Sequence, residues 1–152
     1  MSVNPIPARY SSITPYLICR GAAAAIDFYQ RAFGAIEVLR LGEPDGPIGH
    51  AEITIGNSNV MLADEFPQMG ALSPQSIGGT AVSLLLYVED CDAVFHKAVA
   101  EGASIERPLQ DQFYGDRSGM LIDPFGHRWS ISTHIEDVTP DEIARRVANM
   151  KG

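Results

Sequence analysis

RAFGAIEVL, residues 31–39, and AVAEGASIERPL, residues 98–109, follow one plan. In each, a helix-like run meets a glycine, an alanine follows, and a strand-like run begins. Glycine just past a helical pattern is a stop signal, because it adopts the left-handed conformation that ends a helix. Outward from the first copy, Ala25, Ile26, Tyr29 and Phe33 recur at helical spacing, so Ala22–Phe33 reads as a helix. Before it lies a short apolar strand, ITPYLIC (13–19). After it come a strand at Ile36–Leu41, the turn-rich loop GEPDGPIG (42–49), the alternating strand HAEITI (50–55) and a strand at Val60–Ala63.

The second copy repeats this order. TAVSLLLYV (80–88) is a strand, and Asp92 is the expected N-cap of a helix over Ala93–Ala100, closed by Gly102. Strands follow at Ser104–Leu109, Arg117–Ile122 and Arg128–Thr133, with a turn at Asp123–Gly126. The expected fold class is therefore α+β: two βαβββ modules, about 12–64 and 80–134, in one domain spanning 1–152. Residues 65–79 form the longest irregular stretch, a linker and candidate lid. A C-terminal helix is expected over about 139–151. Thr139 caps it, Pro140 takes its first position, Glu142 completes a capping box, and Ile143, Val147 and Met150 form a narrow apolar stripe.

Composition narrows the classes of function. The 152 residues are 45% hydrophobic and 20% charged, ordinary for a globular chain, with order expected beyond the first dozen residues and before the last few. A net charge of −8 disfavours nucleic acid and anionic membrane, since both need a basic face. The two cysteines, Cys19 and Cys91, lack metal-ligand spacing and read as free thiols. MSVNPIPARY contains no signal-peptide core and no apolar run approaches membrane-spanning length, so a cytoplasmic location is expected.

An ordered set of segments carries a family resemblance: PYL (15–17), AIDFYQRAFGA (25–35), HAEITIG (50–56), MLADE (61–65), YVEDCDAV (87–94), YGDRSGMLIDPFGHRW (114–129) and THIEDVTPDEIARR (133–146). With the duplicated plan, they resemble the vicinal oxygen chelate superfamily of glyoxalase I, extradiol dioxygenases and bleomycin or fosfomycin resistance proteins, and most closely its PhnB-like branch. The resemblance implies that the modules pair so that curved sheets enclose a pocket, with helices outside. It also implies a homodimer.

In metal-binding relatives, four side chains from the first and last strands of the modules hold a divalent ion. Matched to that pattern, the positions here hold Ile13 or Thr14, Leu62, Ser83 and Ser130. Aspartate, proline, any residue and glycine, then three residues, usually lead to a glutamate; here Asp123-Pro124-Phe125-Gly126 leads to Ser130. Hydroxyls and hydrocarbon are poor ligands for a dication. No metal and no other cofactor is therefore expected at these positions, although a divalent ion at a different site stays open.

Strand parity supplies the other candidates. In HAEITI, Ala51, Ile53 and Ile55 share one face and His50, Glu52 and Thr54 the other. In the last strand Trp129 and Ile131 share one face, while Arg128, Ser130 and Ser132 share the other, which should look into the pocket. His50, Glu52 and nearby Asp64 could form an unusual metal site, or His50 and Glu52 could simply bond to each other or to Arg117. Arg117 is counted to the position matching His50, where it could grip an anionic group or form a salt bridge to Asp116, Glu52 or Asp123. The candidate ligand-binding residues are His50, Glu52, Asp64, Leu62, Ser83, Arg117, Ser130 and Tyr114. Candidate catalytic residues are Glu52, as a general base with a pKa raised by burial, and His50. Two functions follow. The first is a small-molecule-binding protein without the usual metal. The alternative is a metal-dependent lyase, isomerase or dioxygenase with a non-standard site.

Overall fold

A computed structural model describes residues 2–151. The element order is β1 (Tyr16–Cys19), α1 (Ala22–Phe33), β2 (Ile36–Gly42), β3 (Ile48–Ile55), β4 (Ser58–Asp64), a 3-10 turn (Pro67–Met69), α2 (Pro74–Ile77), β5 (Ser83–Tyr87), α3 (Cys91–Ala100), β6 (Ser104–Asp111), β7 (Asp116–Ile122), β8 (Arg128–His134) and α4 (Pro140–Met150). Two four-stranded mixed sheets result, ordered β1-β4-β3-β2 and β5-β8-β7-β6. In each, the first strand runs parallel to the last and the other pairs are antiparallel. The fold is α+β with the expected duplicated plan. Two compact units divide the chain: residues up to Ala81 with Pro124–His127, and Val82–Asp123 with residues from Arg128 onward. Among the described residues no helix is long and apolar enough to cross a membrane.

The first unit shows why the helical pattern works. Ala22, Ala25, Ile26, Phe28, Tyr29 and Ala32 are buried on one side of α1. Leu17, Ala51, Ile53, Val60 and Leu62 are buried beside them in the sheet, and each large side chain removed from water contributes about 1.5–3 kcal/mol. Gly34 ends the helix in the left-handed conformation, and the N–H groups of Gly34 and Ala35 return to the Gln30 and Tyr29 carbonyls. At the other end Gly21 has no side chain to cap with. Asp64 does it instead, accepting from the N–H groups of Gly21 and Ala22 at 3.0 and 2.8 Å. Phe125 joins this core against Phe28 and Tyr29, and His127 Nε2 bonds the Ile18 carbonyl at 2.9 Å.

Several expectations change. β1 begins at Tyr16, because Pro15 interrupts the run and leaves Ile13 outside the sheet. Asp90, not Asp92, caps α3 by accepting from Ala93 N–H, and Asp92 lies in the first turn. The linker is not irregular: it holds the 3-10 turn and α2, and Glu65 ties it down by accepting from Ser73 N–H at 2.7 Å and from the Ser76 hydroxyl. Bonds from Ser73 and Ser76 hold the Glu65 carboxyl down at about 2. Residues 9 and 10 are engaged with the sheet as well: Asn59 donates to the Arg9 carbonyl, and Tyr10 reaches Glu52.

In the second unit, Cys91, Phe95 and Ala98 of α3 are buried, as are Leu121, Trp129 and Ile131 of the sheet. Trp129 donates Nε1–H to Asp123 at 2.9 Å. Neither cysteine forms a disulfide, and both are buried. Thr139 caps α4 by accepting from Glu142 N–H, while the Glu142 carboxylate turns to Arg145 and Arg146 rather than closing the reciprocal half of a capping box. Gly115 has φ 99°, and a Cβ there would lie 2.1 Å from the Glu136 carbonyl oxygen. The strap over 135–138 therefore lies directly on the turn between β6 and β7. Arg146 adds bonds to the Phe113 carbonyl and to Glu136.

Candidate functional site

Each sheet has a face covered by its helix and an open face. On the first open face a hydrogen-bond chain runs through four side chains. Tyr10 donates its hydroxyl to Glu52 Oε1. Glu52 Oε2 meets His50 Nε2 at 2.8 Å, and His50 Nδ1 meets the Tyr16 hydroxyl at 2.8 Å. β3 supplies His50 and Glu52 at the alternate positions left open when Ala51 and Ile53 pack under α1. Glu52, Met61 and Tyr16 stand side by side across β3, β4 and β1.

Beside this chain is a pocket of about 450 Å³ lined by Tyr16, Ile18, Ile48, Ala63, Phe66 and Met69, among others. Asp64 borders it, but its oxygens are occupied by three backbone N–H groups, those of Gly21, Ala22 and Ile48. That carboxylate is a cap and a strap for β3, and it does not join His50 and Glu52.

Glu52 does not have the raised pKa expected of a buried base. Hydrogen bonds from Tyr10 and then His50 hold its carboxyl below the ordinary value, against the opposing effect of burial. A carboxylate stabilised in this way is a weaker base. Tyr16 titrates above its usual value, from desolvation first and Glu52's charge second, so it remains a donor at neutral pH.

The second open face is built from rows fixed by strand register. Arg107, Met120, Ser130 and Leu85 form one row; Gln110, Ser118, Ser132 and Tyr87 form the next. Ser118 and Ser132 share a buried hydroxyl bond of 2.7 Å. Tyr87 donates to Asp116 at 2.7 Å, and His134 spans Asp116 and Asp137 at 2.8 and 2.7 Å. Bonds to Asp116 first and Asp137 second raise the His134 pKa. Ser130 and Tyr114 meet in a pocket of about 260 Å³ with Arg107, Gln112, Phe113 and Met120. Ser83 is exposed two positions along β5 from Leu85.

Two sequence-based candidates lie on the wrong face. Leu62 is fully buried under α1, and the open-face residue of β4 is Met61. Arg117 faces α3, where it grips Asp92 through two bonds of 2.7 and 3.1 Å and reaches Asp111 at 3.1 Å. Its neighbour two along, Gly119, confirms the face: a Cβ there would meet Phe95 of α3 at 2.6 Å. Counting one residue off in a strand transfers a side chain to the opposite face. Sequence reasoning missed Tyr10 and Arg107; the one readable hint was Pro108, which cannot donate to a ladder and marks the irregularity between Arg107 and Gln110.

A family model for the glyoxalase/bleomycin resistance protein/dioxygenase superfamily matches residues 10–131. The chain belongs to that superfamily. An uncharacterized protein of Mycobacterium bovis is 44% identical over 146 residues, covering 94% of this chain and 93% of its own length. The anthracycline biosynthesis protein DnrV of Streptomyces peucetius is 32% identical over 116 residues, which are 76% of this chain and 38% of DnrV. Among solved structures, the PhnB protein of Bacillus cereus matches with a TM-score of 0.64 at 25% identity, covering 81% of this chain and 99% of its own.

Many members of the superfamily hold a divalent metal on the first and last strands of their modules. The residues here do not fit one: Ser83 and Ser130 offer neutral hydroxyls, Leu62 is hydrocarbon turned to the core, and Ile13 lies outside β1. Among the described residues no three His, Cys, Asp or Glu side chains converge as a metal site would need.

Proposed function

We propose that this protein binds a small, largely apolar molecule and does so without the superfamily's metal. The pocket of about 450 Å³ carries this reading. Its volume falls in the range of small-molecule sites, and its walls are mostly apolar with the Tyr16 hydroxyl at one edge. The unsuitable donor set and the depressed basicity of Glu52 favour binding over metal-assisted or general-base chemistry. DnrV's place in anthracycline biosynthesis makes planar polycyclic aromatics the first ligand class to test. We also propose a homodimer, because the edge strand β2 leaves Ile36 and Leu41 exposed, and a cytoplasmic location.

Titration of the metal-analysed protein with an anthracycline, followed by quenching of the anthracycline's own fluorescence, tests the reading. Micromolar binding is expected, and Phe66→Ala combined with Met69→Ala should weaken it about tenfold or more, since both side chains line the pocket and expose most of their surface. One equivalent of a retained divalent metal, or an affinity unmoved by the double substitution, would overturn it.

A further inference from the structure

The second pocket has a different chemistry. Its lining comprises one cation, Arg107, the polar groups of Gln112, Tyr114, Ser118 and Ser130, and no acid. Arg107 is exceptional in a chain of net charge −8. Its counterparts in this unit are paired: Arg117 with Asp92 and Asp111, Arg128 with Glu106, and Arg146 with Glu136 and Glu142. Among the described residues the Arg107 guanidinium forms no ion pair, and the side chains of Gln112, Tyr114 and Ser130 form no hydrogen bond. The acids beside it along β6 and on the neighbouring strand already have partners. Glu106 answers Arg128, Asp111 answers Arg117, and Asp116 lies between Tyr87 and His134.

The site is also built rather than incidental. The ladder slips between Arg107 and Gln110, and register sets Arg107 opposite Met120 on the open face. Phe113 and Tyr114 stand edge to face, with ring centroids 5.2 Å apart, and form an aromatic wall. That wall is fixed from behind by the 135–138 strap on Gly115 and by Arg146 on the Phe113 carbonyl.

We propose that this pocket seats a carboxylate borne on a flat aromatic group, with Arg107 as the specificity-determining residue. The planar guanidinium offers two parallel N–H donors to the two carboxylate oxygens. Ser130 and Tyr114 hydroxyls donate to the lone pairs left over, and the aromatic wall covers the ring. This goes beyond the reading of a small-molecule binder by adding a second ligand site, and it stands on residues separate from those of the apolar pocket.

The test is an amide NMR titration of the whole chain with sodium benzoate and, separately, with benzamide, which has the same shape without the charge. Benzoate should shift the amides of Tyr114, Gly119, Met120 and Ser130 and saturate at roughly millimolar concentration, as expected for so small a ligand. Benzamide should bind about tenfold more weakly or worse, and Arg107→Gln should bring benzoate to the level of benzamide. Arg107 is exposed, so the substitution leaves the fold intact, as an unchanged spectrum elsewhere would verify. Equal binding of the two compounds, benzoate binding unaffected by Arg107→Gln, or no shift at these amides would each overturn the proposal. Anthracycline binding at Phe66 and Met69 would survive any of those results, so the two readings can fail separately.

Discussion

On the first sheet Glu52 is held between a tyrosine and a histidine; on the second Asp116 is held between the same two residue types. Beyond the histidine the chains diverge. His50 goes on to the neutral hydroxyl of Tyr16, whereas His134 goes on to a second carboxylate, Asp137. The pockets diverge too, one mostly apolar and the other polar with the Arg107 guanidinium on its lining. The helix-covered faces, by contrast, both bury an apolar set: β3–β4 buries Ala51, Ile53, Val60 and Leu62, and β7–β8 buries Leu121, Trp129 and Ile131. Packing density restrains a covered face, while an open face can exchange side chains at little cost to the fold.

The largest effect should separate those faces. Leu62→Ala is expected to cost about 2–5 kcal/mol in urea denaturation, and Met61→Ala much less. If Met61 proves as costly as Leu62, the assignment of faces in β4 is wrong. A smaller loss, about 1–3 kcal/mol, is expected for Asp116→Asn, because Asp116 is buried and the change leaves Tyr87 and His134 mismatched. Glu52→Gln should cost less, since Glu52 is only half-buried.

The smallest effects are in pH dependence, and they have opposite signs in the two modules. His134 has a raised folded pKa, so its contribution is complete below the unfolded value of about 6.5 and disappears as pH rises through the folded pKa. Glu52 has a depressed folded pKa, so its contribution is present above the unfolded carboxylate value and disappears as pH falls through the folded one. Stability profiles of His134→Gln and Glu52→Gln, compared with the parent, should each flatten in one of these windows. Tyr10→Phe removes the largest cause of the Glu52 shift, and a carboxyl NMR titration should show its pKa rising.

Much of the scaffold was legible. Helix α1 begins and ends where its apolar spacing and Gly34 place it, Thr139 caps α4, and the burial of HAEITI follows its alternation. The site was less so, for definable reasons. Leu62 and Arg117 were misassigned because strand faces alternate every residue, so an offset of one position inverts the conclusion. Asp64 could be placed near His50 along the chain, but nothing local indicates that its carboxylate serves the start of α1, more than forty residues earlier. Tyr10 meets Glu52 across a similar separation, with no periodicity to announce it. Such pairings depend on tertiary geometry and leave no signature in composition or spacing.

Trp129 has one more use. It is the chain's single indole, it is buried in the second unit, and its ring nitrogen is committed to Asp123. Its emission is therefore a built-in optical reporter of one half of the duplication. Should that signal and the far-ultraviolet circular dichroism fall at different denaturant concentrations, the two halves melt as separate cooperative blocks, and a single midpoint would describe neither of them.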